Sequence, residues 1–377
     1  MTPPIELVQV KPSAPPATRD LRAALEPYTH ASVPLALAIF AVDLVALIGV
    51  IGLTLHVEHW ALKIACAAVA GTAISRLFVI GHDAVHIAFT QNKTLDNIIG
   101  RIVFLPALHN YSLWRIAHNR NHHKITNVQG FNSWSPLSLQ EYAALPPERR
   151  LLYRFYRTPL GLGPYYLVER WWKDKFFPTR RVVGEMKPAY WWDFALNVAF
   201  LALWIGAVLL FVRPASIGAA LGAVFWGFAL PYAIWNYLMG FTVYFQHTSR
   251  KVPWFRTAAE ARAAAGQEDV SVHVKFPGWY GFVSHFNMNH AAHHVSPKIP
   301  LYRLKAAQAR LEAVLGPRAV VEKFTPMMFW RTMRQCKLYN FASHRWVDFR
   351  GRTADVTLPE RAQAGAPPSQ AKARAAA

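Results

Sequence analysis

The chain has 377 residues, of which 53% are hydrophobic and 16% charged, with a net charge of +20, sixteen histidines and two cysteines. A soluble domain carries about 25% charged residues, so this composition argues against an ordinary soluble fold, and the two cysteines are too few for a disulfide framework. The positive balance suits nucleic acid, anionic lipid headgroups or an acidic protein; read as membrane-orientation signal and headgroup contact, it leaves no place for nucleic acid among the expected partners.

In chain order, residues 1–32 read as a disordered cytosolic segment rich in Pro and Ala, with no apolar signal region expected there. Four stretches then reach the roughly 20 apolar residues that a membrane-spanning helix needs. They are 33–55, interrupted by Asp43; 61–80, with Lys63 and Arg76 near its ends; 193–212; and 217–245, kinkable at Pro231. The links inside each pair, His56–Trp60 and Arg213–Ser216, are very short, so each pair is expected to form a helical hairpin. Residues 81–192 hold 15 Lys and Arg and residues 246–377 hold 20, while the two short links hold only Arg213. The positive-inside rule therefore predicts a multi-pass cell (inner) membrane protein with both termini and both large segments cytoplasmic. The expected fold is an all-α integral membrane protein: four transmembrane helices under a cytosolic helical cap. One membrane domain runs over 33–358, and 359–377 is a disordered tail. Asp43 is expected to be paired within the bundle.

Between and after the hairpins lie three histidine groups: His82-Asp-Ala-Val-His86, His118-Asn-Arg-Asn-His122-His123 and His290-Ala-Ala-His293-His294. On helices these spacings set imidazoles at i, i+4; at i, i+4, i+5; and at i, i+3, i+4, largely along one face. One such motif is weak evidence, whereas three on the same predicted side of the membrane point to a metal centre. Imidazole suits Zn, Cu, Fe and Ni, but eight imidazoles exceed what one zinc takes and no cysteine lies nearby to supply a thiolate. Two metals with open positions fit better. Iron is the economical choice, because removing hydrogen from an unactivated CH₂ requires a strongly oxidising centre. Ser138–Phe177 mixes Arg, Tyr, Trp and Leu between prolines and reads as helices lying at the membrane surface. Asn97–Ala107 is apolar but too short to span.

These boxes and their flanks resemble the membrane fatty acid desaturases, and among them the acyl-lipid omega-6 (delta-12) type of bacteria and cyanobacteria. The resemblance rests on Trp114–His118 and His122–Asn127, on His293–Leu304, and on the lead-in residues Ser271–His273 and His285–His290, and it extends over roughly 33–320. It departs at the first box, where the omega-6 type usually has Cys-Gly between the second and last residues, and at Ala258–Glu268, which looks looser than in typical members.

The resemblance implies a di-iron centre with O₂ as co-substrate, a fatty acyl lipid or acyl carrier as substrate, and an external electron donor of ferredoxin or cytochrome b5 type. It also implies nine histidine ligands, so one joins the eight of the boxes. His247, at the end of the fourth apolar stretch, is favoured by topology. His285 lies five residues before His290, about 140° off its face on a continuous helix, and His273, further upstream, is expected to support a ligand imidazole rather than bind metal itself. Asp83, Asn119, Asn121 and Asn289 sit between ligands, where they can accept the free N–H of a metal-bound imidazole. The expected reaction inserts a cis double bond. Hydroxylation, triple-bond formation or conversion of a fatty acid to a 1-alkene is the alternative on the same scaffold, and a non-enzymatic metal-binding membrane protein is a more distant one.

Overall fold

A computed structural model of the chain describes residues 18–353 apart from 131. The expected disorder of 1–17 and of the tail from 359 falls outside the described residues. Four helices are long and apolar enough to cross a membrane: α1 (Val33–His56), α2 (Trp60–Val85), α3 (Pro188–Val212) and α4 (Ile217–His247). Each contains the stretch expected for it, with α2 running five residues further to carry His82 on its last turn.

Local chemistry explains their ends. Pro34 and Pro188 occupy the first turns of α1 and α3, where a missing N–H costs nothing. α3 stops at Arg213 in the left-handed conformation (φ 49°), and the chain turns directly into α4. Inside α4, Pro231 cannot donate to the carbonyl of Gly227 four residues earlier. The helix widens to a π turn over Phe225–Ala229, and the Trp204 indole N–H of α3 takes the freed carbonyl at 3.1 Å. The proline thus joins α4 to α3.

α2 is the inner helix, packing against α1, α4 and the helix Lys93–Phe104. A Cβ on Gly71 would lie 2.7 Å from the Ile234 side chain and 2.8 Å from the Pro231 carbonyl, so the close approach of α2 and α4 requires glycine there. The outward faces of the other helices carry exposed apolar residues, among them Val45, Ile48, Leu203 and Leu210. Asp43 on α1 is buried and pairs with Arg76 on α2 at 2.8 Å, as a carboxylate among apolar helices must.

Two expectations need correction. The fold is mostly helical rather than all-α: His273–Lys275 (β1) pairs in parallel with Val321–Lys323 (β2), and Leu338–Asn340 (β3) pairs antiparallel with Arg345–Val347 (β4). These short strands were invisible as patterns because three residues carry too little alternation to register. Second, the described part of the segment before residue 33 is ordered. Thr18–Leu25 is a helix whose fully buried Leu21 and Leu25 pack on the helix Leu301–Leu315, and Arg22 donates to the Val295 carbonyl at 3.1 Å. An i, i+4 leucine pair in a polar setting is enough to dock a helix once a partner face exists, and that face lies almost 300 residues away.

Ser138–Phe177 forms short helices, Leu139–Ala143 and Pro147–Tyr156, followed by a π-helical run Tyr166–Phe176. In that run the buried Tyr166, Trp171 and Phe176 recur every fifth residue, the period of i→i+5 bonding. The Asn97–Ala107 stretch is found mostly within Lys93–Phe104, where Asn92 caps the first turn and Ile99, Val103 and Phe104 are buried against the bundle.

Candidate metal centre

Each histidine box is delivered by a different local device. His82 rides on the last turn of α2 and His86 caps it, with ring centroids 5.3 Å apart. The second box is not α-helical: Ala117–His122 is a π turn, closed by the His123 N–H on the His118 carbonyl at 3.1 Å. On an α-helix a residue at i+5 rotates about 140° away from i, whereas a turn bonded i→i+5 keeps both i+4 and i+5 beside it. The π turn is thus what lets His118, His122 and His123 face one region. The third box forms the short helix His290–Val295, buried throughout. His247 is the last residue of α4, and its Nδ1 donates to the Val270 carbonyl at 3.1 Å.

These nine histidines form two groups. His82, His86, His118, His123 and His293 make one; His122, His247, His290 and His294 make the other; in each the ligand nitrogens lie within 4.8 Å of one another. The sequence neighbours His122 and His123 point into different groups.

The second group has a specific chemical need. His122 Nδ1 faces Asn132 Oδ1 at 3.0 Å, His247 Nδ1 faces the Val270 carbonyl, and His294 Nδ1 faces Gln267 Oε1 at 3.1 Å. Each of these partners is an acceptor, so the proton of the neutral ring sits on Nδ1 and Nε2 presents a lone pair. Yet His294 Nε2 lies 3.1 Å from His122 Nε2 and 3.0 Å from His290 Nε2, which lies 3.0 Å from His247 Nε2. A proton on His290 satisfies only one of these contacts, and the rest set lone pair against lone pair. A cation among them relieves that repulsion, so the donor set fits a metal ion. In the first group His123 Nε2 lies 3.0 Å from His118 Nε2 and 3.1 Å from His293 Nε2, and the buried His86 Nε2 has no hydrogen-bond partner. Loss of hydration, reinforced by the neighbouring imidazoles, holds His86, His118, His123, His290, His293 and His294 well below the ordinary imidazole pKa. His122 is held down by the same two causes. Neutral imidazole is the form that binds metal.

The other candidates lie elsewhere. His285 donates to Asp43, completing a buried cluster with Arg76. His273 pairs with Glu312 and sits on β1. Asp83 touches His82 Nδ1 at 3.3 Å and also accepts the Leu301 N–H at 2.5 Å, so of the four polar residues between the ligands it reaches a histidine. Asn119 donates to the Val85 carbonyl and Asn289 to the Phe286 carbonyl, while the Asn121 side chain lies outside the described residues. Asn132, Gln267 and the Val270 carbonyl, which orient His122, His294 and His247, carried no sequence signal: each approaches from a distant segment. Gln267 belongs to the Ala258–Glu268 stretch whose looseness the sequence suggested. That stretch begins with a Thr257–Glu260 capping box and a helix to Ala264. Trp114 stacks on His118 with centroids 4.1 Å apart and planes 17° from parallel.

A cavity of about 300 Å³ borders both groups, touching His82, His118 and His293 of one and His122 and His290 of the other. Its walls include Phe78 and Val79 of α2 and Met239 and Val243 of α4, so an apolar chain entering between these helices would pass the histidines.

The fatty acid desaturase family model matches residues 58–325. The chain is 29% identical over 297 residues to the chloroplastic omega-6 fatty acid desaturase of Spinacia oleracea, an alignment covering 78% of this chain and 62% of that protein. The chain thus spans somewhat under two thirds of the plant relative. It is 28% identical to the sn-1 oleoyl-lipid 12-desaturase of Synechocystis sp., covering 72% of this chain and 74% of the relative, and 28% identical to that of Picosynechococcus sp., covering 78% and 82%. With the histidine geometry and a match over most of its length, the chain belongs to the fatty acid desaturase family.

Proposed function

We propose that this chain is an integral membrane desaturase that inserts a cis double bond into a fatty acyl chain, using two iron ions held by the five- and four-histidine groups. The observation that carries the reading is that nine imidazoles gather into two groups and that members of both groups border one cavity, whose wall also includes the apolar Phe78, Val79, Met239 and Val243. Bound iron would supply the oxidising power, O₂ with two electrons and two protons being reduced to two waters as one hydrogen leaves each of two adjacent acyl carbons. The chain's own residues do the rest. Asn132, Gln267 and the Val270 carbonyl fix ring orientation through Nδ1, and Trp114 holds the His118 plane. Phe78, Val79, Met239 and Val243 exclude water from the acyl path.

The exposed apolar faces of α1 and α3 suit lipid, and the excess of Lys and Arg in 81–192 and 246–377 supports a cytoplasmic cap and termini in a cell (inner) membrane protein. The names of the cyanobacterial relatives support an acyl lipid of oleoyl type as substrate. Electrons would come from a separate acidic donor of ferredoxin or cytochrome b5 type docking on the cationic cytoplasmic face.

Lipid analysis of cells expressing the chain, resolved for double-bond position, tests the proposal. A new cis double bond that disappears in His122→Ala is the expected result. A hydroxylated chain, a triple bond, a terminal alkene or an unchanged lipid profile would overturn it.

A further inference from the structure

The cavity beside the histidines also has charged lining residues. Arg170, Asp174 and Lys175 of the π-helical run Tyr166–Phe176 all line it. Five residues separate Arg170 from Lys175, which would part them by about 140° on an α-helix, but i→i+5 bonding brings such residues onto one face. Arg170 is paired with Asp174 at 2.9 Å, leaving that couple neutral. The Lys175 residue is 8% exposed, and no hydrogen bond or ion pair satisfies its ammonium among the described residues. The other carboxylate on the cavity wall, Asp83, is already engaged by the Leu301 N–H and His82. Burial, aided by Arg170 and only partly offset by the more distant Asp174 carboxylate, pushes the Lys175 pKa down to about 7, as desolvation of an ammonium does. An unpaired ammonium on a nearly buried residue thus lines the cavity, and a buried donor without a partner is costly enough to call for an acceptor.

We propose that Lys175 forms an anion subsite that binds the head of the acyl substrate through a carboxylate or phosphoryl oxygen. This rests on the desaturase reading for the nature of the occupant. It adds a function to that reading: a head anchored at a fixed station sets which acyl carbons lie beside the histidines, so position is counted from the head of the chain. Lys175 is a positioning residue in this scheme.

The test uses the full chain in nanodiscs of zwitterionic lipid, with displacement of a fluorescent fatty acid by oleate, by oleyl alcohol and by dioleoyl phosphatidate. Oleate and the alcohol share one hydrocarbon tail and differ in the charged head. A charge-assisted contact predicts that oleate or phosphatidate competes about tenfold more strongly than the alcohol. The preference should vanish in Lys175→Met and persist in Lys175→Arg. A Lys175-dependent preference for phosphatidate alone assigns the anion to a lipid headgroup; one for oleate assigns it to a carboxylate. Equal competition by all three on the wild-type chain overturns the subsite, as does an undiminished preference in Lys175→Met with wild-type iron content. If Lys175→Met fails to fold, loss of the preference in Lys175→Arg overturns it and retention supports it. A chain that desaturates lipid yet shows no head preference removes the subsite alone, whereas a Lys175-dependent preference in a chain that makes no double bond removes the desaturase reading alone.

Discussion

The Nε2 atoms of His247 and His290 lie 3.0 Å apart across 43 residues of sequence. This contact joins the membrane end of α4 to the third histidine box, and it distinguishes His247 from His285, which is nearer to the box in sequence but points to Asp43.

His247→Ala should therefore lose iron and activity, while His285→Ala should retain most of its iron. Metal analysis of the two purified variants checks this. Iron lost from His285→Ala and kept in His247→Ala would reverse the assignment.

Purified protein should hold about two irons per chain, given nine nitrogen donors in two groups. His118→Ala, His122→Ala and His294→Ala should each abolish turnover without preventing membrane insertion, since none of the three lies on α1–α4. Membrane fractionation and lipid analysis read the two properties separately. Activity persisting in all three would exclude the metal assignment.

Asn132→Ala and Gln267→Ala should each weaken metal binding about 10- to 100-fold by freeing the His122 and His294 rings. Chelator competition provides the measurement. Asn289→Ala, whose side chain bonds the Phe286 carbonyl, serves as the contrast and should lie much closer to wild type.

Asp43 has two cationic or potentially cationic partners on separate segments, Arg76 and His285. Asp43→Ala leaves Arg76 half-satisfied within the bundle, and removing one partner of a buried pair costs about 3–5 kcal/mol. A lower thermal midpoint in detergent is expected, and an unchanged midpoint would remove Asp43 from the structural framework.

Acid should destabilise the metal-free protein. The histidines of the three boxes whose pKa values are depressed stay neutral when folded and gain protons when unfolded. Stability is therefore present above the unfolded imidazole value of about 6.5 and falls as pH drops below it. Each such histidine contributes up to about 1.4 kcal/mol per pH unit in that range. Thermal midpoints of chelator-treated protein between pH 5 and 8, chosen to bracket about 6.5, should fall on the acid side. A flat profile would contradict the buried, neutral cluster.

The sequence by itself determined the four apolar helices and the eight box histidines, because hydrophobic length and i, i+4 spacing are local properties of the chain. It also determined that Asp43 needs a partner, since an unpaired carboxylate among apolar helices is costly. It did not determine which partner, because Arg76 and His285 meet Asp43 through packing between segments far apart in the chain. Nor did it reveal that His122 and His123 serve different groups. That depends on the π turn at Ala117–His122, where backbone bonding rather than residue type sets the side-chain directions. The ninth histidine followed from topology only as a preference among three. Its contact with His290, the Val270 carbonyl behind it, and the reach of Asn132 and Gln267 to His122 and His294 were decided by tertiary structure alone, which brings loops with no pattern of their own against helices that have one.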